Sequence, residues 1–202
     1  MNKILYTIYS VCRFLSHVIK FLSKQVYSLF IRGGFASMEG YLEYPCHVEG
    51  EKYISVGEGT VILKDTILTA WDSDGSNNFK PSIIIGDRCN IGEHSHITAC
   101  GKISIGNNVL TGRYVLISDN SHGHSSKDEA SLHPLNRPLV NKGEIIIGDN
   151  VWLGERVCVL GGVVIGTGSI IAANSVVTKS IPDFCVAAGV PARVIKYLSN
   201  EV

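Results

Sequence analysis

From about residue 54, aliphatic side chains recur every six positions along the chain. Val56, Ile62 and Leu68 set one register, and Ile85, Ile91 and Ile97 set a second. Ile105, Thr111 and Ile117 set a third, which resumes as Ile147, Leu153, Val159, Ile165, Ile171 and Val177. Glycine follows the anchor in pairs such as Val56-Gly57, Ile91-Gly92, Ile105-Gly106 and Leu153-Gly154, the expected choice where a sharp corner needs a permissive backbone. Four residues after the anchor stands a small or β-branched side chain, as at Thr60, Cys89, Val109, Val157 and Ser169. An α-helix of period 3.6 cannot hold a six-residue repeat on one face, whereas short strands joined by corners can. Three repeats make one triangular coil, whose anchors stack inside on those of the next coil about 4.8 Å away. The pattern therefore predicts a mainly β chain, with a parallel β-helix prism over residues 36–190 and a C-terminal tail at 191–202.

The register breaks twice, at residues 69–84 and 118–146, which marks two loops leaving the prism. From Ile117 to Ile147 is 30 residues, a multiple of six, so the coils can resume in phase beyond the second loop. Long loops on a rigid scaffold usually carry function. Residues 1–35 follow another rule. Ile8, Cys12, Leu15, Ile19, Leu22, Val26 and Leu29 recur at steps of 4 and 3, which predicts an amphipathic helix ended by Gly33-Gly34. One reading has this helix pack on the rest of the protein or on a neighbouring subunit. The other has it lie in a membrane interface as a peripheral contact, because its charged positions are all basic and aromatics flank its seam.

Charge narrows the field. Eighteen basic residues balance eighteen acidic ones, which leaves no whole-chain footprint for nucleic acid. The local exception is the start, where Lys3, Arg13, Lys20, Lys24 and Arg32 meet no acid before Glu39. No apolar run reaches the length of a membrane span and no cleavable signal pattern is present, so the expected location is cytoplasmic, at most peripheral at the inner membrane face. Six cysteines lie scattered without a Cys-x-x-Cys pair, which predicts reduced, buried small residues.

The run Ile145-Ile-Ile-Gly-Asp-Asn-Val-Trp-Leu-Gly154, the run from Ile165 to Lys179, and Ala187-Ala-Gly-Val-Pro-Ala-Arg193 resemble the hexapeptide-repeat acyltransferases over about residues 54–196. Within that family they look like galactoside and maltose acetyltransferases and the O-acetyltransferases of bacterial surface polysaccharides. The resemblance implies a left-handed β-helix, whereas parallel crossovers in general are right-handed in about 98% of cases. It further implies a homotrimer with active sites between neighbouring prisms, acetyl-CoA as co-substrate, a sugar or glycan acceptor, and no metal.

Acyl transfer from a thioester to an alcohol needs a base for the hydroxyl proton, a role that suits histidine. The family's spacing, counted from the repeat at Ile105, falls on His122 in Ile117-Ser-Asp-Asn-Ser-His-Gly-His124. Asn120 and His124 are neighbouring candidates for acceptor binding. Asp119 is read two ways: as orienting the imidazole or binding a sugar hydroxyl, or as a turn residue satisfying local backbone. For the cofactor the resemblance implies Trp152, Ala173, Thr178, Lys179 and Arg193, with the two cations facing its phosphates. The galactoside and maltose enzymes carry an Asn and an Asp upstream of the histidine. Here the equivalent stretch, Gly92 to Cys100, has no carboxylate after Glu93 and the next is Asp119, so a different sugar is expected, on a polysaccharide or lipid-linked precursor. Two alternatives share the prism. A metal hydratase of the gamma-carbonic-anhydrase type needs two histidines five residues apart, which His94-x-His96 and His122-x-His124 do not supply, and a silent scaffold needs only the repeats.

Overall fold

A computed structural model describes residues 3–124 and 126–199. Its body is a three-sided solenoid whose short strands pair in parallel, each with the strand one coil away. One face runs through Val56, Ile85, Ile105, Ile147 and Ile165, which are register partners in turn. A second face stacks Leu42, Ile62 and Ile91, and continues through Thr111, Leu153, Ile171 and Ala187. The third stacks Val48, Leu68, Ile97, Ile117, Val159 and Val177. All but Val48 are buried, and each fully buried isoleucine or leucine stabilises the coil by about 1.5–3 kcal/mol before chain entropy is counted. Thr111, the one polar anchor, accepts a 2.8 Å hydrogen bond from the Gly92 amide, so its inward hydroxyl is satisfied.

The small side chains at the fourth position line the inner corners. Thr60 donates to the Gly86 carbonyl at 2.6 Å, and Ser169 to that of Pro182 at 2.6 Å. The glycines have a different cause from the one the sequence suggests. Gly92 and Gly112 do not adopt positive φ. A Cβ on Gly92 would lie 2.1 Å from the Gly112 carbonyl oxygen, and one on Gly112 would lie 2.6 Å from the Glu155 amide. Close stacking of successive coils excludes the side chain. Where a non-glycine takes the left-handed turn of such a corner it sits two positions after the glycine, at Arg88, His94, Asn108, Tyr114, Asn150 and Arg156, a conformation costing a non-glycine residue roughly 1–2 kcal/mol.

The prism begins before the regular repeat. Ser37–Met38, Tyr41–Leu42 and His47–Glu49 form a first coil under the strands at 54–70. At the other end the expected tail is a strand: Ala192–Tyr197 folds back antiparallel on Cys185–Gly189. Both loops leave where the register breaks. The second carries the antiparallel pair Asn120–His122 and Leu139–Asn141, with a short helix, α2 (Lys127–Ala130), between them. Among the cysteines, Cys89, Cys100 and Cys185 are buried and Cys46 and Cys158 half-buried, whereas Cys12 is exposed on the N-terminal helix, α1 (Lys3–Ile31). Among the described residues no helix is long and apolar enough to cross a membrane.

Candidate active site

Both extruded loops and the third face enclose a cavity of about 850 Å³. Thr69, His96 and Thr98 come from successive strands of the face, Trp71 and Asp74 from the first loop, and Asn120, His122, Arg137 and Leu139 from the second. His122 closes the strand Asn120–His122 and pairs across the ribbon with Leu139. It lines the cavity with an exposed side chain, and no described residue hydrogen-bonds its imidazole. The ring is presented to whatever occupies the cavity.

Its neighbours hold the ribbon rather than the ring. Asp119 is fully buried, and its carboxylate accepts the Cys100 amide at 2.9 Å, the Gly101 amide at 2.8 Å and the Asn120 side-chain amide at 3.1 Å. Of its two sequence-based roles it takes the backbone-satisfying one: it faces neither His122 nor the cavity. Burial first, then this carboxylate, push the Cys100 thiol up to about 12. Asn120 does line the cavity, donating at the same time to the Thr98 carbonyl at 3.2 Å. His124 does not reach the cavity. Its Nδ1 lies 2.9 Å from Glu129 Oε1 and its backbone amide donates to the same carboxylate, which ties the loop to α2. These two hydrogen bonds hold the Glu129 carboxyl below its ordinary range.

Several wall residues escaped the sequence reading as acceptor contacts, among them Thr69, Trp71, Asp74, His96, Thr98 and Arg137. Trp71 donates its indole N–H to Thr98 Oγ1 at 3.2 Å, which fixes the ring as a wall. His96 Nε2 lies 3.4 Å from Thr69 Oγ1, and burial holds its imidazole below the usual histidine value, which favours the neutral ring. Asp74 supplies a carboxylate, but both oxygens are engaged. They accept the Ser76 amide at 2.8 Å, the Asn77 amide at 2.6 Å, the Asn77 side chain at 3.1 Å and, across the cavity mouth, the Leu139 amide at 2.9 Å. The four bonds hold its carboxyl well below the usual range and join the two loops. Strand alternation would have signalled Thr69, His96 and Thr98, and nothing in the repeats signals Arg137.

The residues implied for the cofactor lie apart. Trp152 stands outward on the second face beside Leu110 and Ile170, half exposed at 49%. Ala173, Thr178, Lys179 and Arg193 are exposed on the last coils, and none of the five lines the His122 cavity. The histidines proposed for a metal also diverge. His94 stacks on Tyr114 with ring centroids 4.8 Å apart, outside the cavity that His96 faces. Among the described residues no three His, Cys, Asp or Glu side chains gather as a metal site.

Comparison with known proteins agrees with the geometry. A family model described as bacterial transferase hexapeptide (six repeats) matches residues 144–179, and one described as hexapeptide repeat of succinyl-transferase matches residues 82–112. A protein of Escherichia coli K12 named as the lipopolysaccharide biosynthesis O-acetyl transferase WbbJ is 32% identical over 163 residues, 79% of this chain and 80% of that protein. The galactoside O-acetyltransferase of the same organism is 41% identical over 104 residues, 49% of this chain and 46% of that protein. Among solved structures, a point variant of AntD, an N-acyltransferase from Bacillus cereus in complex with dTDP and coenzyme A, superposes with a TM-score of 0.69 at 19% identity, covering 85% of this chain and 89% of that one. The hexapeptide-repeat acetyltransferase VCA0836 of Vibrio cholerae does so with a TM-score of 0.53 at 25% identity, covering 84% and 77%. With a relative 32% identical over about four fifths of both chains, repeat models at residues 82–112 and 144–179 and the three-sided parallel solenoid in agreement, the chain belongs to the hexapeptide-repeat acyltransferases, enzymes on a left-handed parallel β-helix.

Proposed function

We propose that the chain is an O-acetyltransferase that moves acetyl from acetyl-CoA to a sugar hydroxyl of a glycan or polysaccharide precursor, with His122 as general base. One observation carries this reading: an imidazole that no described residue hydrogen-bonds faces a cavity walled by an indole ring, hydroxyls, amides and the Arg137 side chain. Such a mix suits a sugar, whose C–H face stacks on an aromatic ring while its hydroxyls pair with neutral polar groups. In the reaction His122 takes the hydroxyl proton as the sugar oxygen attacks the thioester carbonyl. The tetrahedral intermediate collapses, the carbon–sulfur bond breaks, and the imidazolium returns the proton to the coenzyme A thiolate. Products are the acetyl ester and free coenzyme A, and no metal takes part.

Among the described residues the carboxylate that lines the cavity, Asp74, already accepts four amide hydrogen bonds, which supports an acceptor other than a simple galactoside. Trp152, Ala173, Thr178, Lys179 and Arg193 would hold the donor on the outer wall of the prism. They would meet His122 of a neighbouring copy in a homotrimer, which explains why one chain does not bring the two sets together.

The test is thiol release from acetyl-CoA over a panel of sugars and glycans, comparing the protein with His122→Ala. Loss of the base is expected to lower kcat by about 10²–10⁴-fold with little change in KM for acetyl-CoA. Equal acceptor-dependent rates in the two proteins remove His122 from this role.

A further inference from the structure

The helix α1 touches the prism only near its end, and with its polar side. Ser28 donates to the Leu42 carbonyl at 3.0 Å and accepts the Leu42 amide at 2.9 Å, Tyr27 donates to the Cys46 carbonyl at 3.2 Å, and Ile31 packs on the core. In the same turn Val26, Leu29 and Phe30 point outward, Phe30 at 84% exposure. At 3.6 residues per turn Val26 and Leu29 continue the seam of Leu22, Ile19, Leu15, Cys12 and Ile8, which lies opposite Tyr27, Ser28 and Ile31. Every side chain from Leu5 to Ile19 is exposed. The apolar seam therefore faces away from its own prism and requires an external cover.

Charge identifies that cover. The first 38 residues hold five of the 18 basic residues of the chain and none of the 18 acidic ones, so the remainder is net negative. Arg13 and His17 fall on the side of α1 opposite the seam, and Lys20 and Lys24 continue that spacing in sequence. An apolar seam of this width, backed by cations only, suits an anionic phospholipid surface. It suits a helical pair less well, because like-charged helices repel and no acidic residue stands beside the seam to pair with.

A path leads from the helix to the active site. A cavity of about 400 Å³ at the end of α1, lined by Tyr27, Phe30 and Phe35, shares Gly34 and Glu51 with a second of about 400 Å³. That second cavity shares Trp71 and Ser73 with the His122 cavity. We infer that α1 docks the enzyme on an anionic phospholipid surface, seam down and prism above, so that an acceptor anchored in lipid reaches His122 along these joined clefts. The acceptor clause rests on the proposed O-acetyl transfer, whereas the docking does not.

Flotation of the full chain with vesicles tests it. The protein is expected to float with vesicles of phosphatidylcholine and phosphatidylglycerol in equal parts, to bind phosphatidylcholine alone far more weakly, and to be released by salt. Arg13→Glu should weaken binding roughly tenfold or more, and the double variant Leu15→Asp, Leu22→Asp at least about a hundredfold. Because the seam does not touch the prism, the double variant should keep its thiol release on soluble glycans. A wild-type chain that stays at the bottom of the gradient, or a double variant that floats equally well, overturns the docking. So does sedimentation showing the seam buried between copies in a chain that ignores vesicles. Thiol release in solution is read separately, so failure of the proposed reaction is distinguishable from failure of the docking.

Discussion

Replacing Asp119 by Ala separates a structural carboxylate from a substrate ligand, and the structure sets the size of the effect. The side chain is fully buried and accepts two backbone amides, Cys100 at 2.9 Å and Gly101 at 2.8 Å. Alanine leaves both donors facing a space without an acceptor. An unsatisfied buried amide costs about 1–3 kcal/mol, and bonds to a charged acceptor lie toward the upper end, so the pair amounts to about 3–5 kcal/mol. For a chain of this size that lowers Tm by roughly 6–20 °C. Asp119→Asn keeps one acceptor oxygen and should lose about half as much. The measurement is thermal unfolding by circular dichroism at fixed protein concentration, since association would itself move Tm, paired with thiol-release kinetics below the transition. The expected signature is a large fall in Tm, a fall in kcat as the ribbon bearing His122 loosens, and a nearly unchanged KM for the acceptor. A Tm within a degree of wild type together with a raised acceptor KM would refute the reasoning and restore Asp119 as a sugar ligand.

Two further expectations concern the cavity mouth and the donor. Asp74→Ala removes the bond that ties the first loop to the Leu139 amide. Acceptor KM should rise and exchange at the Leu139 amide should accelerate, and an unchanged exchange rate counts against the tie. The folded-state value of Asp74 is depressed, so what its ionised form contributes is fully present above the unfolded value near pH 4 and is lost as pH falls through the lower folded value. Acid should therefore lower the protection of the Leu139 amide, taken relative to its intrinsic exchange rate at each pH, in the wild type but not in Asp74→Ala. Lys179→Ala and Arg193→Ala should each raise KM for acetyl-CoA by about tenfold, near the lower end for a charged hydrogen bond at an exposed site, with kcat little changed. Unchanged KM in both variants would move the coenzyme A phosphates elsewhere.

The prism was legible because its physics has a short period. An inward aliphatic every sixth residue is visible wherever three strands and three corners repeat without insertion, and Thr111 did not obscure it. The first coil was harder to read because Met38, Leu42, Val48 and Val56 are spaced by 4, 6 and 8 residues, and Val48 is only half-buried. The glycines were found for the wrong reason. A glycine in sequence does not say whether φ or space demands it, and here the neighbouring coil, absent from any local window, supplies the demand.

The site divides along the same line. His122 came from the resemblance, through the family's spacing counted from the repeat at Ile105, and it lines the cavity where the chain leaves the third face. His96 and Thr98 were reachable in principle, since they alternate on one strand with the inward Ile97. What the sequence could not give is how the loops are held. Asp119 and Asp74 look alike in sequence, both short acids near turns, yet each is committed to amides 18 to 65 residues away. Those commitments leave an aromatic plate, hydroxyls and amides beside the Arg137 side chain on the cavity wall, a physical reason to expect a sugar acceptor recognised through its hydroxyls and its ring face.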